Sequence, residues 1–374
     1  MADRPRIAIV GAGMGGLATA AALAKLGFRA TVYEQAKRFD RLGAGIQMSP
    51  NAMQVLRGLG VEDRVRRVAF RPEVWANRAW DTGETRFDLP LGDDCEARYG
   101  APYLQMHRGD LHAALLTAAP AEAIRLSKRL VAAEPGPGGV MLRFEDGSVA
   151  EADLVIGADG VHSRVRALLL GAEKPAPTGR VAYRATFPAR LMRQEIGPCT
   201  KWWGEDRHIV IYYVTAAKDE VYFVTSLPDA DWVKESWVAT GDMAVVRDAF
   251  AGFHPEVREV LRACPEVNRW AILDRAPSPS WQDGRMVLIG DAAHPMTPYM
   301  AQGAAMAMED GVMLARALAE AENVPAALAR FEATRQARTA DVQAVSHANT
   351  WMREATDPAW CYGYDAWTAP LMAA

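Results

Sequence analysis

The sequence predicts an α/β chain: a parallel sheet flanked by helices, interrupted by an antiparallel sheet and followed by C-terminal helices. Three observations carry this. An apolar strand, a glycine-rich turn and an Ala-rich helix open the chain, and an acid, Glu34, closes the next strand. A second buried-type run, Met286-Val287-Leu288-Ile289, returns near the other end and precedes a long helical stretch. Between them, from Arg180 to Trp270, β-branched and aromatic residues fall with period-two character, the mark of an antiparallel sheet. Parallel-type runs at both ends enclose an insert.

The opening reads Arg6-Ile7-Ala8-Ile9-Val10, then Gly11-Ala12-Gly13-Met14-Gly15-Gly16, then Leu17 to Leu26. This is a dinucleotide fingerprint in a strand-turn-helix setting, so the domain is Rossmann-like. Gly11 permits the tight turn, Gly13 lets backbone N–H groups approach a pyrophosphate, and Gly16 lets the helix pack closely. The helix N-terminus supplies partial positive charge, and Glu34 would accept ribose hydroxyls.

Pro50-Asn51 opens a helix through Leu59, ended by Gly60, and a more aromatic stretch runs from Phe70 to Tyr99. A helix starts at Gly109-Asp110 and continues to about Ala119. Val140–Phe144 and Val149–Ile156 read as a hairpin feeding a buried strand, and Ser163 caps a short helix to Leu170. The loop from Glu173 to Pro177 marks a boundary. Strands follow at Tyr183–Phe187, Thr200–Trp203, His208–Thr215 and Val221–Leu227, with helices near Asp242–Phe253 and Pro255–Ala263. Helices from about Ala301 to Ala319 and Val324 to Trp351 complete the chain. The expected division places residues 1–71, 98–178 and 272–374 in the nucleotide domain and 72–97 and 179–271 in a substrate domain.

The composition narrows the function. The 374 residues are 50% hydrophobic and 24% charged, with net charge −4, so no basic field favours nucleic acid. No apolar run reaches the roughly 18 residues that span a bilayer, and no signal peptide is visible. Cys95, Cys199, Cys264 and Cys361 lie far apart without a C-x-x-C, and the histidines show no metal-binding spacing, so no metal site is expected. The expectation is a cytoplasmic enzyme, monomer or homodimer, without nucleic acid or membrane partners.

Two further motifs sit at strand ends. Asp153-Leu-Val-Ile-Gly157-Ala-Asp159-Gly160 leads into the Ser163 helix, and Asp159 is placed to face a diphosphate or a nicotinamide-side group. Gly290-Asp291-Ala-Ala-His294-Pro295 offers a carboxylate that can accept from a polyol hydroxyl. Each alone is equally readable as a turn; three strand ends of one sheet point to one phosphate-and-polyol ligand. The turn Pro295–Ala304 then opens the long helix.

This triple resembles the single-component FAD-dependent aromatic hydroxylases of the p-hydroxybenzoate hydroxylase type, over nearly the whole chain. The resemblance implies FAD, with Gly11, Gly13, Gly15, Gly16 and Glu34, and Gln35 beside it, on the ADP half. It implies that Asp159 serves FAD and the pyridine nucleotide, that Asp291 holds the ribityl chain and that Arg108 contacts FAD. Pro298, Gly303 and Ala304 would lie against the flavin ring, where a helix N-terminus stabilises the negative charge of reduction. In the family, NADH or NADPH reduces FAD, O2 gives a C4a-hydroperoxide, and its distal oxygen attacks an electron-rich ring. A flavin-binding redox protein without oxygenase activity is the alternative from another class.

On the substrate side, His208, Val210 and Tyr212 alternate along one strand and so share a face. They form either a pocket wall or an amphipathic aromatic face, and His208 has the intrinsic pKa to exchange a proton near neutrality. The stretch resembles that of family members that replace a ring carboxylate by hydroxyl with loss of CO2, converting 6-hydroxynicotinate to 2,5-dihydroxypyridine. Cys199, His208 and Tyr212 match their pocket positions. Gln47 and Tyr299 stand where those members carry histidines, so a salicylate-type or other hydroxybenzoate hydroxylase stays open. Lys201 and Arg184 are read as surface charges, with a carboxylate-binding role as the alternative. The C-terminal aromatics, from Trp351 to Trp367, would close the active site, form a subunit contact or pack as a tail.

Overall fold

Strands from three separate parts of the chain build the parallel sheet of the computed structural model, which describes residues 4–41, 44–136, 139–229 and 239–373. Its order is Met286–Leu288, Leu154–Gly157, Ile7–Val10, Ala30–Tyr33 and Ile124–Arg125, every neighbour parallel. The middle strand is buried throughout, as a strand covered on both faces must be. The helix Met14–Lys25 leaves this strand through the glycine turn and packs along the helix Gly303–Glu320. The two backbones nearly touch. A Cβ on Gly15 would stand 3.1 Å from the Ala307 side chain, and one on Gly311 2.6 Å from Thr19 Oγ1.

The second sheet has eight strands: Thr240–Gly241, Val267–Asp274, Ala176–Pro188, Glu220–Pro228, His208–Tyr213, Cys199–Trp203, Val74–Ala79 and Thr85–Pro90. All neighbours are antiparallel except Cys199–Trp203 with Val74–Ala79. One face packs on the helices Met243–Ala249 and Pro255–Ala263 through Ile209, Ile211, Phe223, Phe250 and Val257. The other face looks toward the parallel sheet across a cavity. With both faces covered, the neighbouring inner strands Cys199–Trp203 and His208–Tyr213 are buried at every residue.

Several elements differ from expectation. The stretch read as a boundary loop, ending at Pro177, already contributes to the 13-residue strand Ala176–Pro188. The strand Val267–Asp274, the helix Gly92–Tyr99 and a small ribbon pairing Gly45–Met48 with Leu104–His107 were not expected. The helix expected from Ala301 starts at Gly303, because Ala301 is left-handed at φ 54°. The final long helix stops at Ala348, where Asn349 adopts φ 52°. Part of the tail packs on the body: Trp351, Cys361 and Tyr362 are buried in the main core, and Trp367 donates to Val55 O at 3.4 Å, while Trp360 stays exposed. Among the described residues, no helix is long and apolar enough to cross a membrane.

Candidate active site

A cavity of about 420 Å³ lies where the strand ends of the parallel sheet meet the open face of the antiparallel sheet. Gly13, Met14 and Gly15 line one end, with Ala158 and Gly160 from the second motif and Gly290 and Asp291 from the third. The glycines fit their expected mechanics. Gly11 has φ 104°, and a Cβ there would sit 2.4 Å from Ala158 O; a Cβ on Gly16 would meet Gly11 O at 2.0 Å. A Cβ on Gly13 would meet nothing within 4 Å, which leaves open the approach a pyrophosphate needs.

Two helix N-termini face this cavity, Met14–Lys25 and Gly303–Glu320. Neither has a side-chain cap or an acid in its first turn. Their first-turn N–H groups therefore remain available to an anionic ligand. Arg108 and Asp291 also line the cavity; burial lowers the Arg108 guanidinium and the charge of Asp291 opposes that. Pro298, Gly303 and Ala304 border the same space beside Tyr299.

Other expected residues sit elsewhere. Glu34 accepts from Ala12 N and from Ala36 N, both at 2.8 Å, so it braces the glycine turn; Gln35 follows it just outside the strand. Asp159 turns away from the cavity. Its carboxylate accepts from Ser163 Oγ at 2.5 Å, Arg164 N at 2.7 Å and Val165 N at 3.1 Å, fixing the start of the helix Arg164–Leu170. Burial raises its pKa and the Ser163 hydrogen bond opposes that rise.

A buried charge network behind the turn had no counterpart in the sequence reading. Arg335 pairs with Glu309 at 2.8 Å and Asp310 at 2.7 Å, and all three are fully buried. Asp310 also accepts from Gly290 N at 2.9 Å and binds His294 Nε2 at 2.6 Å, so the third motif is tied to the long helix. Against burial, His294 and Arg335 hold the Asp310 carboxyl at about 2. Glu309 accepts from Asn51, which also donates to Gln302, the residue before the helix. Gln343 donates to Pro295 O and Ser346 to Thr297 O, so the last long helix clamps the proline turn. The adjacent acids Glu309-Asp310 inside a mostly apolar helix were the available signal.

The opposite wall is the antiparallel sheet. His208, Val210 and Tyr212 all line the cavity, joined by Tyr222, Val224 and Trp270. A Cβ on Gly45 would meet the Tyr222 ring at 2.5 Å and Tyr212 Oη at 2.7 Å, so only glycine lets these phenols reach in. Gln47 accepts from Tyr103 Oη at 2.8 Å, and its amide lies 3.8 Å from Cys199 Sγ. Tyr299 Oη is 2.9 Å from Ser226 Oγ, which accepts from Arg180 at 2.7 Å. Its ring stands edge-on to His208 at 5.4 Å.

Charge in this wall differs from expectation in two ways. Lys201 and Arg184, read as surface charges, are 1% and 3% exposed and line the cavity. The Lys201 ammonium lies 3.8 Å over the Trp203 ring, and the Arg184 guanidinium 4.4 Å over Trp270. Secondly, burial and then the charges of Lys201 and Arg180 hold the His208 imidazole well below its ordinary value, so it is neutral at pH 7. Burial pushes Tyr212 well above the usual phenol range and Cys199 and Tyr222 to about 12. Tyr299 is raised by the same cause. The wall therefore presents neutral hydrogen-bonding groups between two buried basic side chains.

A two-sheet α/β fold with two open helix ends over an aromatic wall is the architecture expected of an FAD-dependent aromatic monooxygenase, and its relatives put the chain in that class. The chain matches the family described as FAD binding domain over residues 4–348 and belongs to it, with FAD as its cofactor. It is 48% identical over 377 residues to 6-hydroxynicotinate 3-monooxygenase of Bordetella bronchiseptica, covering 100% of this chain and 98% of that one. It is 40% identical over 342 residues to 3-amino-4-hydroxybenzoate 2-monooxygenase PtnB3 of Streptomyces platensis, covering 91% and 86%. Klebsiella pneumoniae HpxO, solved with FAD and uric acid, superposes with TM-score 0.82 at 28% identity, covering 94% of this chain and 89% of that one. The full-length similarity to relatives named as monooxygenases sets aside the alternative of a redox protein without oxygenase activity.

Proposed function

We propose that this enzyme performs decarboxylative hydroxylation of a hydroxylated pyridine carboxylate, 6-hydroxynicotinate, giving 2,5-dihydroxypyridine and CO2. One observation carries the reading: a neutral His208–Tyr212 wall, with the buried Lys201 beside it, faces the uncapped end of the Gly303 helix across one cavity. When bound and reduced by NADH or NADPH, FAD supplies activated oxygen from O2.

The residues divide the remaining work. Gly13, the first helix turn and Arg108 would hold the diphosphate half of FAD, and Asp291 would accept from its ribityl chain. Pro298, Gly303 and Ala304 would offer a flat surface to its ring, and the helix dipole would favour negative charge there. The turn Ala44–Gln47, Val210 and Val224 exclude water around the substrate ring. Neutral His208 accepts the proton of the ring hydroxyl, and Tyr212 hydrogen-bonds the resulting oxygen. The released electron density sits on the carbon para to that hydroxyl, which bears the carboxylate. Oxygen transfer there and departure of CO2 restore aromaticity.

Gln47 and Tyr299 favour a second reading, a hydroxybenzoate substrate, because neither supplies a group that titrates near pH 7. Gln47 has its carbonyl committed to Tyr103 and Tyr299 pairs with Ser226. The test is an FAD-loaded enzyme assayed with 6-hydroxynicotinate, salicylate and 3- and 4-hydroxybenzoate, following NADH, CO2, peroxide and product mass. CO2 matching NADH, with 2,5-dihydroxypyridine from 6-hydroxynicotinate, supports the first reading. Turnover of a benzoate instead, salicylate to catechol and CO2 or 3- or 4-hydroxybenzoate to a dihydroxybenzoate, supports the second.

The division of the chain into a nucleotide domain (1–71, 98–178, 272–374) and a substrate domain (72–97, 179–271) belongs to the same proposal; the two sheets support it. So do a cytoplasmic location and a monomer or homodimer as working form, the former supported by four cysteines that are all buried and free.

A further inference from the structure

We propose that Lys201 is the anchor for the anionic substituent of the ring substrate, and that it selects carboxylate-bearing rings over uncharged ones. This rests on reading the cavity as a ring-substrate site.

The antiparallel register puts Lys201, Val210, Val224 and Arg184 in one row across four adjacent strands. All four line the cavity. Adjacent strands are about 4.8 Å apart, so the two basic residues stand roughly 14 Å apart at the backbone with two valines between them. A ring lying on the valines brings its carboxylate to Lys201 at one end, while His208 and Tyr212, two residues to either side of Val210, flank the ring along the next strand, where the hydroxyl para to the carboxylate can point toward them. Arg184 lies at the far end, stacked on Trp270.

Lys201 is fully buried, and among the described residues no carboxylate pairs with it. Buried charges are normally paired, because desolvation is costly without a counter-charge. The Trp203 ring face eases that cost only in part. A ligand carboxylate would supply the missing partner in a space it can enter.

Surrounding groups keep the anchor switchable. Cys199 faces it from its own strand, His208 and Tyr212 from the next, and Tyr222 and Arg184 from the strands beyond. Trp75 and Asn77 belong to the strand on its other side, and Arg353 approaches the Trp203 ring from the C-terminal segment at 5.9 Å. Burial pushes the ammonium down to about 7, Cys199 opposing. The protonated form binds the anion, so affinity falls as pH rises above about 7, and binding there takes up a proton.

The test titrates FAD-loaded wild-type and Lys201→Met protein, by flavin absorbance and calorimetry, with 6-hydroxynicotinate and with uncharged 2-hydroxypyridine. The Kd for the acid should rise about 30-fold or more in the variant, while that for 2-hydroxypyridine changes less than about threefold. In the wild type, calorimetry in buffers of different ionisation enthalpy should show up to one proton taken up at pH 8. The Kd for the acid should rise toward tenfold per pH unit between about 7.5 and 8.5, with no such slope in the variant. The wild-type measurements need no mutant to fold. Equal acid affinity in both proteins, or no proton uptake at pH 8, overturns the assignment to Lys201 while leaving the enzyme's class intact. The same loss in Arg184→Met with none in Lys201→Met moves the anchor and also overturns it. If neither ring perturbs the wild-type flavin, the substrate reading fails and takes this proposal with it.

Discussion

Replacing Gly13 with alanine should separate FAD binding from folding. Gly13 has φ −74° and ψ −171°, a conformation alanine adopts freely, and its added Cβ would meet nothing within 4 Å. Two effects on the apoprotein oppose each other: alanine lowers unfolded-chain entropy, worth about 0.4–1 kcal/mol, and is a poorer helix N-cap by a similar amount. Apo stability should therefore change by less than about 1 kcal/mol. The ligand meets a different situation, because the methyl occupies the space through which a phosphate oxygen reaches the first-turn N–H groups. Losing one charge-assisted hydrogen bond costs about 1.5–3 kcal/mol, a Kd increase of roughly 10- to 150-fold. Gly16→Ala is the contrast: its Cβ would lie 2.0 Å from Gly11 O, backbone that cannot move without breaking the turn. That variant should lose apo stability by at least about 1–3 kcal/mol. The assay pairs FAD fluorescence titration of apoprotein with its thermal unfolding. Wild-type FAD affinity in Gly13→Ala, or an apo melting temperature depressed as far as that of Gly16→Ala, would refute the reasoning.

Three further perturbations follow from the same geometry. His208→Ala should raise peroxide released per NADH consumed more than it lowers FAD occupancy; unchanged coupling with the preferred ring acid removes His208 from the proton path. Arg335→Met should destabilise the fold by about 1.5–3 kcal/mol, read by denaturant unfolding, because it removes a charge-assisted partner from each of two fully buried carboxylates, leaving Glu309 with Arg338 and Asp310 with His294. A wild-type midpoint would show that the network carries no such weight. Lys201→Met should instead stabilise the apoprotein at pH 7, by about 2–4 kcal/mol, by removing a buried ammonium. Its folded value of about 7 lies below the ordinary 10.5, so between those values the unfolded chain holds a proton the folded one lacks. Wild-type stability therefore rises with pH across that window. The advantage of the variant should be full near pH 7 and gone by about pH 10; an advantage that is constant with pH contradicts the burial argument.

The nucleotide half was legible because its determinants are local. A glycine turn, an apolar strand and an acid at the next strand end act within about 30 residues, and the structure returns them as a strand, a turn and a helix. The wall His208–Tyr212 was legible for the same reason: side-chain alternation on one strand needs no partner. What failed was burial of charge. Lys201 lies in Cys199–Trp203, where helices cover one face and the cavity the other, so every position is buried and alternation carries no sign of which side is wet. Asp159 misled in the opposite direction: a carboxylate at a strand end can serve a ligand or its own helix, and three local donors decide for the helix. The network around Arg335 joins residues from Asn51 to Arg338, a separation no local pattern encodes. Satisfied and unsatisfied polar groups thus divide by task. Behind the proline turn, buried charges are paired and fix the backbone; in front of it, two helix ends lack side-chain caps and, among the described residues, the Lys201 ammonium has no carboxylate partner. A site meant only for stability would have closed those gaps with protein side chains. Leaving them open lowers the stability of the apoprotein, so ligand binding should raise it: FAD first, through the helix ends, and then an anionic ring through Lys201. The two increments in melting temperature should be separable, and only the second should disappear in Lys201→Met.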